Sequence, residues 1–239
     1  MEIMEIIGDA QKYPLNNIKS LIIYVILGII AFLVLALTGA GILVGASVNN
    51  FVAGGIIGIF GSIVFLLIYL LIDGYGLDVI KLGIDRVDES PSIDFVRQIT
   101  NGIKLCIVVI VYLLIPFIVM LLLGYINNML GVIVGFILLI VFLFALIMAE
   151  CRLANTGSLG EALNVSEACK DIMRVGIGKI LAVIILLFII TFILSLIASI
   201  FAGFGDIGSY ISAILNGIVT VYTTFVMFRA TGLLYSNAI

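Results

Sequence analysis

Two sets of polar side chains are spaced to do chemistry in this chain. Thr191, Ser195 and Ser199 recur one helical turn apart in a single apolar run, and Ser212, Asn216 and Thr220 do the same in the next. If both runs are helices folded back at segment 203–209, an antiparallel register sets Ser199 beside Ser212, Ser195 beside Asn216 and Thr191 beside Thr220. Such a seam either ties two membrane helices together, at about 0.6 kcal/mol per interhelical hydrogen bond, or lines a polar groove for a lipid headgroup or small solute. The tie is the simpler reading, and Asn216 is the residue on which a groove would turn.

The second set is Asp73, Glu150 and Arg152, which sit where apolar runs meet charged sequence. They read as a charged inner mouth that binds or gates a partner or headgroup. The plainer reading is ordinary interfacial charge, solvated or paired locally and worth little.

Other chemistries lack their residues. Histidine is absent, and there is no Walker loop, no H-E-x-x-H and no nucleophile paired with a base. Cys106, Cys151 and Cys169 form no C-x-x-C pair, so neither a disulfide framework nor a zinc site is expected. They read as reduced thiols on the cytoplasmic side. No cofactor, metal or catalytic residue is expected, and the chain is not expected to be an enzyme. A net charge of −3 offers no basic surface for nucleic acid.

The elements that must position these residues are membrane spans. The chain is 64% hydrophobic and 10% charged, against about 45–50% and about 25% in a soluble domain. Its apolar residues come in unbroken blocks long enough to cross a bilayer. Spans are expected at about 20–47, 51–72, 105–125, 129–149, 179–202 and 209–228. They exclude Asp, Glu, Lys and Arg except Lys179 at an edge. A charge at mid-bilayer costs roughly 2.5–3.5 kcal/mol. Ion-coupled transport usually keeps an acid there, and none is present.

The connections alternate. Asn49-Asn50, Asn127-Asn128 and segment 203–209 are short and lack Lys and Arg, while all 11 basic residues fall in the long connections and at the termini. The positive-inside rule makes that side the cytoplasm. The acidic start, Met1-Glu2-Ile3-Met4-Glu5, is unlike a cleavable signal. Acids cancel the basic charge there, so this is not a polybasic lipid-binding face.

The long connections look amphipathic. Ile3, Ile6, Ile7 and Ala10 make one stripe, which Pro14 should end. Ser92 is the expected cap for a stripe of Ile93, Val96, Ile99 and Ile103. Ser158-x-x-Glu161 is a capping box and Asn164-x-x-Glu167 its variant, leading to Ala168, Ile172 and Val175. The expected fold is therefore an all-α integral membrane protein. Its six spans form three hairpins with interfacial helices on the cytoplasmic side. The units are 1–73, 74–150 and 151–239, and their matching punctuation reads either as a pseudo-threefold repeat or as three merely similar hairpins. Gly54, Gly58 and Gly61, and Gly131 with Gly135, allow close helix approach. Packing within the chain explains them first, and homo-oligomerisation second. Pro116 should kink the third span.

Several stretches resemble one family. They are Gly8-Asp9-Ala10 with Lys12-Tyr13-Pro14 and Lys19, then Gly74-Tyr75, Pro91, Gly102-Ile103-Lys104, Tyr112 and Pro116. The most distinctive runs from Ala149-Glu150-Cys151-Arg152 through Asn155-Thr156-Gly157 to Glu161-Ala162. They resemble the largely archaeal membrane family called domain of unknown function 4013. That resemblance implies an archaeal plasma-membrane protein with six spans and no established activity.

The expected function is a non-catalytic membrane scaffold or accessory protein that organises lipid or a partner protein, with both termini cytoplasmic. The alternative is a passive or weakly coupled transporter of a small solute or lipid, using the seam between spans five and six. Membrane lipids are the expected partners, and the sequence does not identify a protein partner.

Overall fold

A computed structural model describes residues 1–48 and 50–238. Asn49, half of the first expected tight turn, lies outside the described residues. Among those described, the chain is helical, without a strand. Helix α1 spans Ile3–Asn16, α2 Ile18–Ser47, α3 Phe51–Ile84, α4 Phe95–Ile126 and α5 Asn128–Thr156. The short α6 spans Leu159–Ala162, α7 Val165–Val175 and α8 Ile177–Ser199. A 3₁₀ turn, Ile200–Phe204, leads into α9, Gly205–Tyr235. Among the described residues, 6 helices are long and apolar enough to cross a membrane.

The helices run past the expected spans on the charged side. Helix α3 has 34 residues, about 50 Å at 1.5 Å each, against a hydrocarbon core of about 30 Å. Its surplus turns carry Tyr75, Asp78 and Lys81 beyond the apolar run and into contact with neighbouring elements.

Local chemistry sets the ends. Asn50, Asn127 and Asn164 each accept a backbone N–H three residues on, and Asp94 caps α4 in the same way at 3.1 Å. Ser92, the expected cap, instead accepts the Arg97 guanidinium on its carbonyl and hydroxyl. Asp and Ser cap equally well, and Asp94 is the one adjacent to Phe95. Pro14 does not end α1, which continues to Asn16. A proline this near the C-terminus disturbs only the last turn, and Asn17 N–H still reaches the Tyr13 carbonyl at 3.1 Å.

No separate helix precedes α4. The stripe at Val96, Ile99 and Ile103 is the first part of α4 itself, with Val96 exposed. Gly176, at φ 95°, breaks α7 from α8, and Asn17 breaks α1 from α2. Nothing of that kind interrupts residues 95–105.

The core lies at the charged end. Ile6 and Ala10 of α1 pack with Ile80 of α3, Val108 and Tyr112 of α4, and Met148 and Ala149 of α5. Ala168 and Ile172 of α7, Ile180 of α8 and Leu233 of α9 complete it. Toward the short connections the apolar side chains, such as Leu43, Phe60, Leu122, Ile126, Phe188 and Phe204, are exposed. Water would not tolerate that surface, but hydrocarbon requires it. There Gly45 meets Gly54 and Thr38 meets Gly61 between α2 and α3, and Met120 meets Gly135 between α4 and α5. Both termini end on the same side, where the Met1 ammonium donates to Asn237 Oδ1 at 2.7 Å and Lys179 Nζ donates to the Met1 carbonyl at 2.7 Å.

Candidate functional site

The seam residues lie along α8 and α9, largely bonded to their own helices. Ser199 Oγ donates to the Ser195 carbonyl at 2.7 Å, and Thr220 Oγ1 donates to the Asn216 carbonyl at 2.8 Å. The Asn216 amide donates to the Ser212 carbonyl at 3.0 Å and crosses to Ser199 Oγ at 3.4 Å. Asn216 thus meets Ser199, one turn from the expected Ser195. The 3₁₀ turn tightens the end of α8 and lets α9 begin at Gly205, which shifts the register. Ser212 is buried, while Thr191 and Ser195 are half-buried.

Asp73, Glu150 and Arg152 divide into two places. Asp73 on α3 and Glu150 on α5 are half-buried and close enough to interact electrostatically. Neither forms an ion pair with a described cation. Arg152 turns the other way. Its Nη2 donates to Glu161 at 2.5 Å and its Nη1 to Asp171 at 3.0 Å. Asp171, with a side chain 1% exposed, also accepts Arg174 at 2.7 Å and the Tyr235 hydroxyl at 3.1 Å. One buried carboxylate therefore ties α5, α7 and α9 together. Burying it with several charged or hydroxyl donors avoids the cost of an unpaired buried charge.

A second hub centres on Arg229, near the C-terminal end of α9. Its side chain is 1% exposed. Nε donates to Asp9 Oδ1 at 2.8 Å, and Nη2 donates to Asp88 Oδ1 at 2.5 Å. Nη1 donates to the carbonyls of Leu82 at 3.1 Å and Val87 at 2.6 Å. The guanidinium lies 4.9 Å from the Tyr13 ring centroid, in reach of a cation–π attraction. Burial pushes the Tyr13 hydroxyl above the ordinary phenol range, although the guanidinium pulls it back in part.

The geometry of α3's end makes that hub. Val87 N–H bonds the Leu82 carbonyl at 2.9 Å and Arg86 N–H the Gly83 carbonyl at 3.2 Å, with Arg86 at φ 56°. This paired helix stop needs a left-handed residue, usually glycine. It turns the Val87 carbonyl and Asp88 toward Arg229. In the sequence Arg229 is only a charge after the sixth span. Asp171 carried a readable signal: it lies between Ala168, Ile172 and Val175 on the apolar face of α7.

The stretch with the strongest family resemblance forms the α5–α6 corner. Gly157 closes α5 at φ 67°, and Lys104 Nζ donates to its carbonyl at 2.9 Å. Ser158 caps α6, and the buried Tyr112 hydroxyl donates to the Ala162 carbonyl at 2.9 Å. Fold and hubs together define an all-helical, multi-pass membrane protein fastened by ion pairs at one end. The chain belongs to the family described as protein of unknown function DUF4013, whose model matches residues 57–203. The N-terminal residues of the resemblance, Gly8 to Lys19, lie outside that match. No curated protein and no solved structure matches the chain.

Proposed function

We propose that this is a non-catalytic membrane scaffold or accessory protein of a plasma membrane, archaeal by the family resemblance, presenting a fastened charged layer to the cytoplasm. The observation that carries the reading is the Arg229 hub, which joins α1, the α3–α4 connection and α9 through a buried guanidinium. Such a hub makes the layer one body and supports a surface that holds still for lipid or a protein partner. The three units 1–73, 74–150 and 151–239 are read as variations on one hairpin plan, the middle one lacking a separate leading helix. The basic side is read as cytoplasmic from the distribution of Lys and Arg.

A second reading is a passive or weakly coupled transporter of a small solute or lipid through the α8–α9 seam. The long 3.4 Å reach from Asn216 to Ser199 favours it, since so weak a contact parts readily. Reconstitution into liposomes separates the two. The scaffold reading expects no solute or lipid flux above protein-free liposomes, and Asn216→Ala and Glu150→Gln altering only stability or assembly. Flux that Asn216→Ala abolishes would install the transporter in its place.

A further inference from the structure

The geometry points to a binding site for the phosphate group of an anionic phospholipid, in the cavity where α1 gives way to α2, with Lys19 as its cation. This goes beyond the scaffold reading and does not depend on it.

The cavity has a volume of about 390 Å³ and lies between the start of α2 and residues 90–93 of the α3–α4 connection. Lys19, Ser20 and Ser90, with Asn16, Asn17 and Ser92, supply its polar wall, and Ile18 and Ile93, both exposed, its apolar wall. No acid lines it. Asp78 and Glu89 line the neighbouring cleft on the far side of Ser90 and Ser92, where Arg97 pairs with Asp78 at 3.0 Å.

Lys19 is available. Among the described residues every other Lys or Arg except Lys12 donates to a carboxylate, carbonyl, amide or hydroxyl of the chain. Lys12 does not line the cavity.

Ser20, 4% exposed, shares a short hydrogen bond with Ser90, which in turn meets the Tyr75 hydroxyl at 3.0 Å. Both serines line the cavity. An unpartnered ammonium beside them, in a cavity lined by no carboxylate, matches a phosphate oxyanion. The apolar wall, beside the first membrane helix, matches the glycerol and upper acyl region of a lipid more closely than a free solute.

The test uses the full chain in detergent, with short-chain phosphatidylglycerol, phosphatidylcholine and inorganic phosphate as probes. Phosphatidylglycerol should bind saturably, and Lys19→Gln should weaken it about tenfold, the loss of one charge-assisted hydrogen bond. Lys12→Gln and Lys19→Arg should bind as the native chain does. Lys19 is exposed, so these variants should fold, and an unchanged melting temperature verifies it. Equal affinity for phosphatidylcholine, or undiminished binding in Lys19→Gln, would overturn the proposal. Lys19-dependent binding of inorganic phosphate without lipid binding would overturn the lipid assignment in favour of a soluble phosphate. A flux result against the scaffold reading would leave these affinities unmoved.

Discussion

Arg229 Nε donates to Asp9 Oδ1 at 2.8 Å, joining two residues 220 positions apart. Arg229→Met leaves Asp9 and Asp88 within reach of solvent, with side chains 29% and 70% exposed, but strands the Leu82 and Val87 carbonyls. The loss should be about 1–3 kcal/mol, the cost of unsatisfied buried polar groups, as read by SDS or thermal unfolding in micelles. Arg229→Lys should recover only part, because an ammonium cannot serve Asp9, Asp88 and two carbonyls from one plane.

The second hub makes a local prediction. Asp171→Asn weakens the pairs to Arg152 and Arg174 while keeping the side-chain shape. Hydrogen exchange should rise across 165–175, and the α8–α9 seam should be unaffected. Unchanged protection in α7 would mean that Ala168, Ile172 and Val175 dock it alone.

Arg86 offers a stabilising change. Its left-handed backbone costs roughly 1 kcal/mol that glycine does not incur. Among the described residues its guanidinium makes a single hydrogen bond, from Nε to Ser236 Oγ at 3.3 Å. Arg86→Gly should leave stability equal or raise it by up to about 1 kcal/mol, measured by the same unfolding assay.

Helix crossings predict a sharp contrast among glycines. A Cβ on Gly74 would overlap the Gln98 carbonyl, and one on Gly102 would overlap that of Leu70. Either Ala variant should push α3 from α4 and cost about 1–3 kcal/mol. A Cβ on Gly55 meets nothing within 4 Å, so Gly55→Ala should be neutral or slightly stabilising.

Tyr13 predicts a pH effect. Burial holds its folded hydroxyl above the ordinary phenol value of 10.0, so between the two values the fold holds a proton that the unfolded chain releases. The stability this provides is complete below pH 10 and is lost as pH rises through the folded value. Tyr13→Phe should make the alkaline loss of stability shallower, although Phe forgoes the 3.3 Å hydrogen bond to the Glu89 carbonyl.

Much of the scaffold could be read in advance because hydrocarbon imposes a blunt rule on charge. The apolar blocks located all the crossing helices, and Ser158 and Asn164 announced helix starts in their own side chains. The hubs were less legible. Arg229 finds Asp9 and Asp88 through tertiary packing, which no spacing encodes, and the turn that aims Asp88 uses Arg86 where the usual signal is glycine. The seam is half legible: its polar periodicity names Ser199 and Asn216, but their register depends on the 3₁₀ turn, of which the sequence shows only a Gly-rich fold-back at 203–209.

The central claim is that the fastened charged layer faces the cytoplasm. Lys170, on α7 and largely exposed, should be replaced by cysteine in a background carrying Cys106→Ser and Cys169→Ser. A membrane-impermeant thiol reagent should leave this cysteine unlabelled in intact cells and label it once the membrane is permeabilised. Labelling in intact cells would place the Arg229 and Asp171 hubs outside and contradict the account.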